Sequence, residues 1–147
     1  MERFSFFWRS ESPFSQWHPC SFGIDGQRYN CAEQYMMVQK AIVFEDWEIT
    51  SQIRKASSPF EQKKLGRKVK GFDRNMWESV CKKIVYEANY TKFTQNLSLK
   101  EALLATAGTT VVEASPDDKI WGIGLAEDYP DARNRSTWRG TNWLVKF

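Results

Sequence analysis

Asn30-Cys31-Ala32-Glu33-Gln34-Tyr35-Met36-Met37-Val38-Gln39-Lys40-Ala41 is the stretch whose reading decides how this chain folds. It is predicted to form a helix over residues 30–44, with Asn30 as the N-cap. In such a helix Glu33 and Lys40 stand seven residues apart, on nearly the same stripe and separated by about 10 Å along the axis. That spacing is too long for an ion pair on a helix surface, which needs three or four residues. Met36 and Met37 lie between them as an apolar floor. The acid and the amine can therefore both reach a ligand lying across the helix.

The rest of the chain reads outward from this helix. Residues 4–8 are an aromatic run suited to a strand, and Ile24-Asp25-Gly26-Gln27 marks a hairpin turn within 21–29. Helices are expected at 46–55, 59–67 and 75–93. The last of these is signalled by Trp77, Val80, Cys81, Ile84, Val85 and Ala88 at three- and four-residue spacing. Ser98-Leu99-Lys100-Glu101 reads as a capping box opening a helix that Gly108 stops. Residues 109–114 read as a strand, 115–130 as a loop region, and a final short helix is expected near Thr141. With 147 residues, no repeat and no dividing linker, the expectation is one α+β domain over 1–147, mainly helical with a few short strands.

Composition narrows the function classes. The chain is 41% hydrophobic and 27% charged, a globular balance, and its 15% aromatic content must fill a core or face a planar ligand. A net charge of +3 is too small to indicate nucleic-acid binding by itself. Between positions 54 and 74, however, eight basic residues (Arg54, Lys55, Lys63, Lys64, Arg67, Lys68, Lys70, Arg74) outnumber Glu61 and Asp73. That segment is either a solvated face or a patch that attracts phosphate. Cys20, Cys31 and Cys81 with the lone His18 make no common zinc pattern, so neither metal nor cofactor is expected. No apolar run spans a bilayer, and residues 1–9 lack a secretory core. A soluble protein of the cytoplasm or nucleus, with no membrane and no stable protein partner, is the expectation.

Two further clusters bear on chemistry. Asp117-Asp118-Lys119-Ile120-Trp121-Gly122-Ile123-Gly124 follows the predicted strand, where ligand contacts concentrate. Its glycines allow close approach, and Trp121 offers a stacking face. Trp138-Arg139-Gly140-Thr141-Asn142 places Gly140 at an expected helix start, whose amides would suit a phosphate.

These pieces, in this order, resemble the NADAR family, the YbiA-like N-glycosidases. The match runs through Asp25-Gly26-x-x-Tyr29, Ala32-Glu33-Gln34-Tyr35 and Gln39-Lys40-Ala41. It continues through Leu65-Gly66-Arg67-x-Val69, Phe72-Asp73, Trp77 and Lys92-Phe93-x-Gln95-Asn96. Val112-Glu113-x-Ser115-Pro116-x-Asp118, Trp121-Gly122-x-Gly124 and Trp138-x-Gly140-x-Asn142 complete it. Gln34 departs from the family, which usually has His there.

The resemblance implies cleavage of a ribose C1′–N bond. Its leading form is removal of ADP-ribose from guanine in DNA or RNA, a reversal of ADP-ribosylation that serves DNA repair. The alternative form acts on phosphoribosylated intermediates of the riboflavin pathway. The partner is accordingly an ADP-ribosylated nucleic acid or an ADP-ribose-containing small molecule. A non-catalytic ADP-ribose-binding module does not call for a desolvated amine, and a plain nucleic-acid binder leaves the Trp121-Gly122 loop without a role. A lysine over an apolar helix face loses solvation, its pKa falls, and the neutral amine can attack C1′ to give an imine. Lys40 is the expected nucleophile, with Glu33 handling protons or ribose hydroxyls and Asp118 as a second acid or base. Phe7, Arg67, Trp121, Gly122, Gly140 and Asn142 are the expected substrate contacts.

Overall fold

The computed structural model describes residues 1–145. Five α-helices and four short strands occur among them. β1 (Phe4–Phe7), β2 (Phe22–Ile24) and β3 (Gln27–Tyr29) precede α1 (Ala32–Val43), α2 (Trp47–Lys55), α3 (Pro59–Gly66), α4 (Arg74–Gln95) and α5 (Leu97–Leu104); β4 (Thr110–Glu113) follows. Short 3-10 turns cover Pro130–Arg133, Arg135–Thr137 and Trp143–Val145. The mainly helical α+β reading holds. No helix among the described residues is long and apolar enough to cross a membrane. The chain's own contacts gather into two compact units, Gln16–Leu97 and Met1–Ser15 with the chain from Ser98 onward.

In the unit Gln16–Leu97, α1 packs against α2, α3 and α4. Local chemistry starts three of the helices. Asp46 and Ser58 accept hydrogen bonds from the Ile49 and Glu61 amides at the starts of α2 and α3, and Asp73 accepts from the Asn75 and Met76 amides at the start of α4. Pro59 supplies a preset φ at the first turn of α3. Asp25 and Gly26, at φ 52° and 78°, form the tight left-handed turn between antiparallel β2 and β3. That hairpin is tied to the end of α4, where Gln95 both accepts from the Gly23 amide (2.8 Å) and donates to its carbonyl (2.9 Å). Phe22, Tyr29 and Tyr35 pack as an aromatic trio, with centroids 5.1–6.5 Å apart. Part of the aromatic excess is thus core.

In the other unit, β1 and β4 pair in parallel, Phe4 opposite Thr110 and Phe7 opposite Glu113. Its core joins Val112, Ile123, Leu125 and Ala132 with Phe4, Phe6 and Trp138.

Three expected boundaries are corrected. α1 is capped by Cys31 in extended conformation rather than by Asn30. The Asn30 carboxamide is engaged elsewhere, accepting from Gln62 Nε2 at 3.0 Å. α4 runs to Gln95 and α5 starts at Leu97, so Ser98 lies inside α5 and cannot cap it. The expected final helix near Thr141 is only the 3-10 turn Trp143–Val145.

Candidate functional site

The expected site residues divide between the two units: Glu33, Lys40 and Arg67 belong to Gln16–Leu97, and Phe7, Asp118, Trp121, Gly122, Gly140 and Asn142 to the other. Each group has its own geometry.

α1 holds Glu33 buried in its first turn and Lys40 half-buried in its last, with Met36 and Met37 buried between them. Burial is the main influence on Lys40 and lowers its pKa below the ordinary lysine value. The Glu33 carboxylate opposes that shift, and the Arg67 guanidinium adds to it. Arg67 closes α3 and is exposed. The Lys40 amine sits 4.7 Å from the centroid of the Phe72 ring. Nothing in the spacing of α1 places a residue from the segment beyond α3 over Lys40.

The departure at Gln34 has a structural account. Gln34 is buried, accepts from the Asn30 amide at 2.8 Å and donates to the Ile53 and Arg54 carbonyls at 3.2 and 3.3 Å. It joins the start of α1 to the end of α2. In this chain Gln34 therefore serves the scaffold.

A second amine has no role assigned to it by the sequence beyond its place in the resemblance. Lys92 on α4 is 0% exposed, and burial lowers its pKa to about 8, with Cys20 and Cys31 opposing the shift. Its ammonium group lies 5.0 Å from the Phe93 ring centroid. The signal was present: Ile84, Ala88 and Lys92 fall four apart on the buried stripe of α4. The Cys31 thiol, donating to Gln62 Oε1 at 3.1 Å, is pushed up to about 12 by burial and stays protonated at neutral pH.

In the other unit the loop after β4 is tightly bonded. Asp118 Oδ1 accepts from the Ile120 and Trp121 amides, both at 2.9 Å, so one carboxylate oxygen of this expected acid or base shapes the loop. The half-buried Trp121 ring meets Trp143 edge-on at 6.1 Å. Phe7 is buried and packs edge-on against Phe14, a core position. A Cβ on Gly122 would lie 2.8 Å from the Glu113 carbonyl oxygen and 2.9 Å from Glu113 Oε2, so the glycine admits the strand-end acid Glu113.

The expected phosphate contact beyond Gly140 meets a correction. The amides of Thr141, Asn142, Trp143 and Leu144 already donate to the carbonyls of Lys119, Gly122, Ile120 and Trp121 at 2.9, 3.0, 3.0 and 3.3 Å. The Asn142 side chain is likewise used internally, accepting from the Glu113 amide (3.1 Å) and donating to the Val111 carbonyl (3.3 Å). Gly140 is required by close packing, since a Cβ there would come within 2.4 Å of the Gly122 carbonyl oxygen and 2.7 Å of Lys119 Cα. Gly140→Ala is expected to destabilise the protein by about 2 kcal/mol or more, because backbone cannot step aside as a side chain can. An unchanged urea midpoint would contradict this close approach.

Comparison with known proteins agrees with this architecture. The family model described as NADAR domain matches residues 6–147. The chain is 42% identical over 138 residues to N-glycosidase R617 of Acanthamoeba polyphaga mimivirus, covering 90% of this chain and 81% of that protein. It is 34% identical over 111 residues to N-glycosidase YbiA of Escherichia coli K12, covering 76% and 68%. The NMR structure of the E. coli protein YbiA superposes with a TM-score of 0.79 at 29% identity, covering 99% of this chain and 80% of that one. Glu33, Lys40 and the loop at Asp118–Gly124 are thus carried on a chain that belongs to the NADAR domain family.

Proposed function

We propose that this protein is an N-glycosidase that removes ADP-ribose from ADP-ribosylated guanine in DNA or RNA through an imine on Lys40. The observation that carries the reading is the Lys40 amine at the end of α1, half-buried and with a lowered pKa, on the stripe of the buried Glu33. Relatives named N-glycosidase support the reaction class. Nucleophilic attack needs the lone pair of a neutral amine, and partial desolvation supplies it nearer neutral pH than an exposed lysine does.

The Lys40 nitrogen adds to C1′, and the C1′–N electrons leave with the base, which takes up a proton. The ring-closed glycosylamine so formed then opens: the nitrogen lone pair makes the C1′=N bond of a protonated imine, and the C1′–O4′ electrons leave with O4′, which takes up a proton. Water then adds to C1′, the amine departs, and the aldehyde closes to free ADP-ribose. Glu33 is assigned the proton transfers in these steps, as part of the same proposal. Asp118 remains a proposed second acid or base, through the carboxylate oxygen other than the one that binds the loop amides.

What supports a polymeric substrate is the basic run: all eight cationic residues between positions 54 and 74 are exposed. Incubation with a guanine-ADP-ribosylated oligonucleotide should release ADP-ribose and leave an intact oligonucleotide. Turnover of a phosphoribosylated pyrimidine alone would favour the small-molecule alternative instead.

Glu33→Gln tests the proton role. The kcat should drop about 10²-fold or more with KM nearly constant. If the variant instead melts early and the folded fraction keeps its full kcat, Glu33 is structural only.

A further inference from the structure

The Phe72 ring is held in an uncommon way. It follows Gly71, whose φ of +74° makes the turn between α3 and α4, and it is 46% exposed. One contact is the Lys40 amine at 4.7 Å from its centroid, and another is Phe44, edge-on at 5.4 Å and 63°. Lys40 and Phe44 are four residues apart, neighbours at the C-terminal end of α1. One ring therefore meets both Lys40, in the last turn of α1, and Phe44, at the C-cap of the helix that bears the proposed nucleophile. A phenyl group serving the core would be buried.

The face of an aromatic ring is the negative end of its quadrupole and stabilises a nearby cation. In the proposed reaction the Lys40 nitrogen is cationic before it releases its proton and again as the protonated imine. A carboxylate at the same place would accept the proton or attack C1′ itself; a phenyl ring does neither. Of the charged groups acting on Lys40, Glu33 on the same helix favours the cation, and Arg67, at the end of α3, opposes it.

We infer that Phe72 is a positioning residue for Lys40, fixing the nitrogen at the end of α1 and stabilising the positive charge of the protonated imine. This rests on the Lys40 reading. Phe72→Leu keeps the bulk and removes the quadrupole, whereas Phe72→Tyr keeps both.

The experiment measures kcat, its pH profile and the yield of borohydride-trapped adduct on ADP-ribosylated oligonucleotide for wild type, Phe72→Leu, Phe72→Tyr and Lys40→Ala. Phe72→Leu should lose about three- to thirty-fold in kcat and in trapped adduct, the worth of one cation–ring contact. Its acidic limb should move to lower pH, since the ammonium is then less favoured. Phe72→Tyr should restore both. Wild-type kcat and limb in Phe72→Leu, beside an inactive Lys40→Ala, would overturn the inference about Phe72 alone. An active Lys40→Ala would overturn it together with the imine reading.

Discussion

Lys40→Ala is expected to reduce turnover at least about a hundredfold, and Lys40→Arg to reduce it as far. Arginine keeps the charge and much of the reach, but its guanidinium does not deprotonate in the working range and cannot form the imine. If the lysine only attracted phosphate, arginine would rescue it. Steady-state kinetics on ADP-ribosylated oligonucleotide thus separate the two roles in one comparison. The pH dependence has a definite sign. Burial lowers the Lys40 pKa, so the neutral amine accumulates below the usual lysine range and kcat should rise with pH through that lowered value. Removing the side chain should leave the fold intact, because a half-buried ammonium with a lowered pKa is favoured less by the native than by the unfolded chain.

The second large effect concerns Lys92, and it is one of stability. Its pKa falls from 10.5 to about 8 in the native state. Below pH 8 both native and unfolded chains hold the proton, and the native state carries the net cost of a buried ammonium. Between pH 8 and 10.5 the native state has released a proton that the unfolded chain still binds, so stability rises with pH across that window. The difference corresponds to about 3 kcal/mol. Lys92→Met is isosteric in stem and cannot titrate. Urea unfolding of both proteins between pH 7 and 10.5 should show the wild type gaining about that much relative to Lys92→Met. Parallel curves would mean that Lys92 is as well solvated in the fold as out of it.

Much of this was legible in the chain, for identifiable reasons. The Asp25-Gly26 turn could be read because few residues take two successive left-handed conformations, and both do. Desolvation of Lys40 was expected from Met36 and Met37 on its own helix, a local pattern, and the burial of its amine agrees with the direction. α2, α3 and α4 carried their own caps at Asp46, Ser58 and Asp73. What was missed depends on partners distant in sequence. Phe72 reaches Lys40 across thirty-two positions, and Asn142 reaches Glu113 across twenty-nine. The amides beyond Gly140 looked available because a helix start leaves amides open. Only the fold shows carbonyls of 119–122 already bonded to them. Lys92 was overlooked for a different reason: a charged residue on a buried stripe reads as an exception to the stripe, although the spacing assigned it correctly.

Two amines with lowered pKa values now compete for the name of nucleophile, and exposure separates them: Lys40 is half-buried and Lys92 fully so. Lowered basicity without access gives no chemistry. The most direct test is to add borohydride during turnover of ADP-ribosylated oligonucleotide and map the modified peptide by mass spectrometry. A single ribose-derived adduct on Lys40, absent without substrate, is the predicted result. Undiminished turnover with no adduct, or an adduct on Lys92 in place of Lys40, would contradict the account.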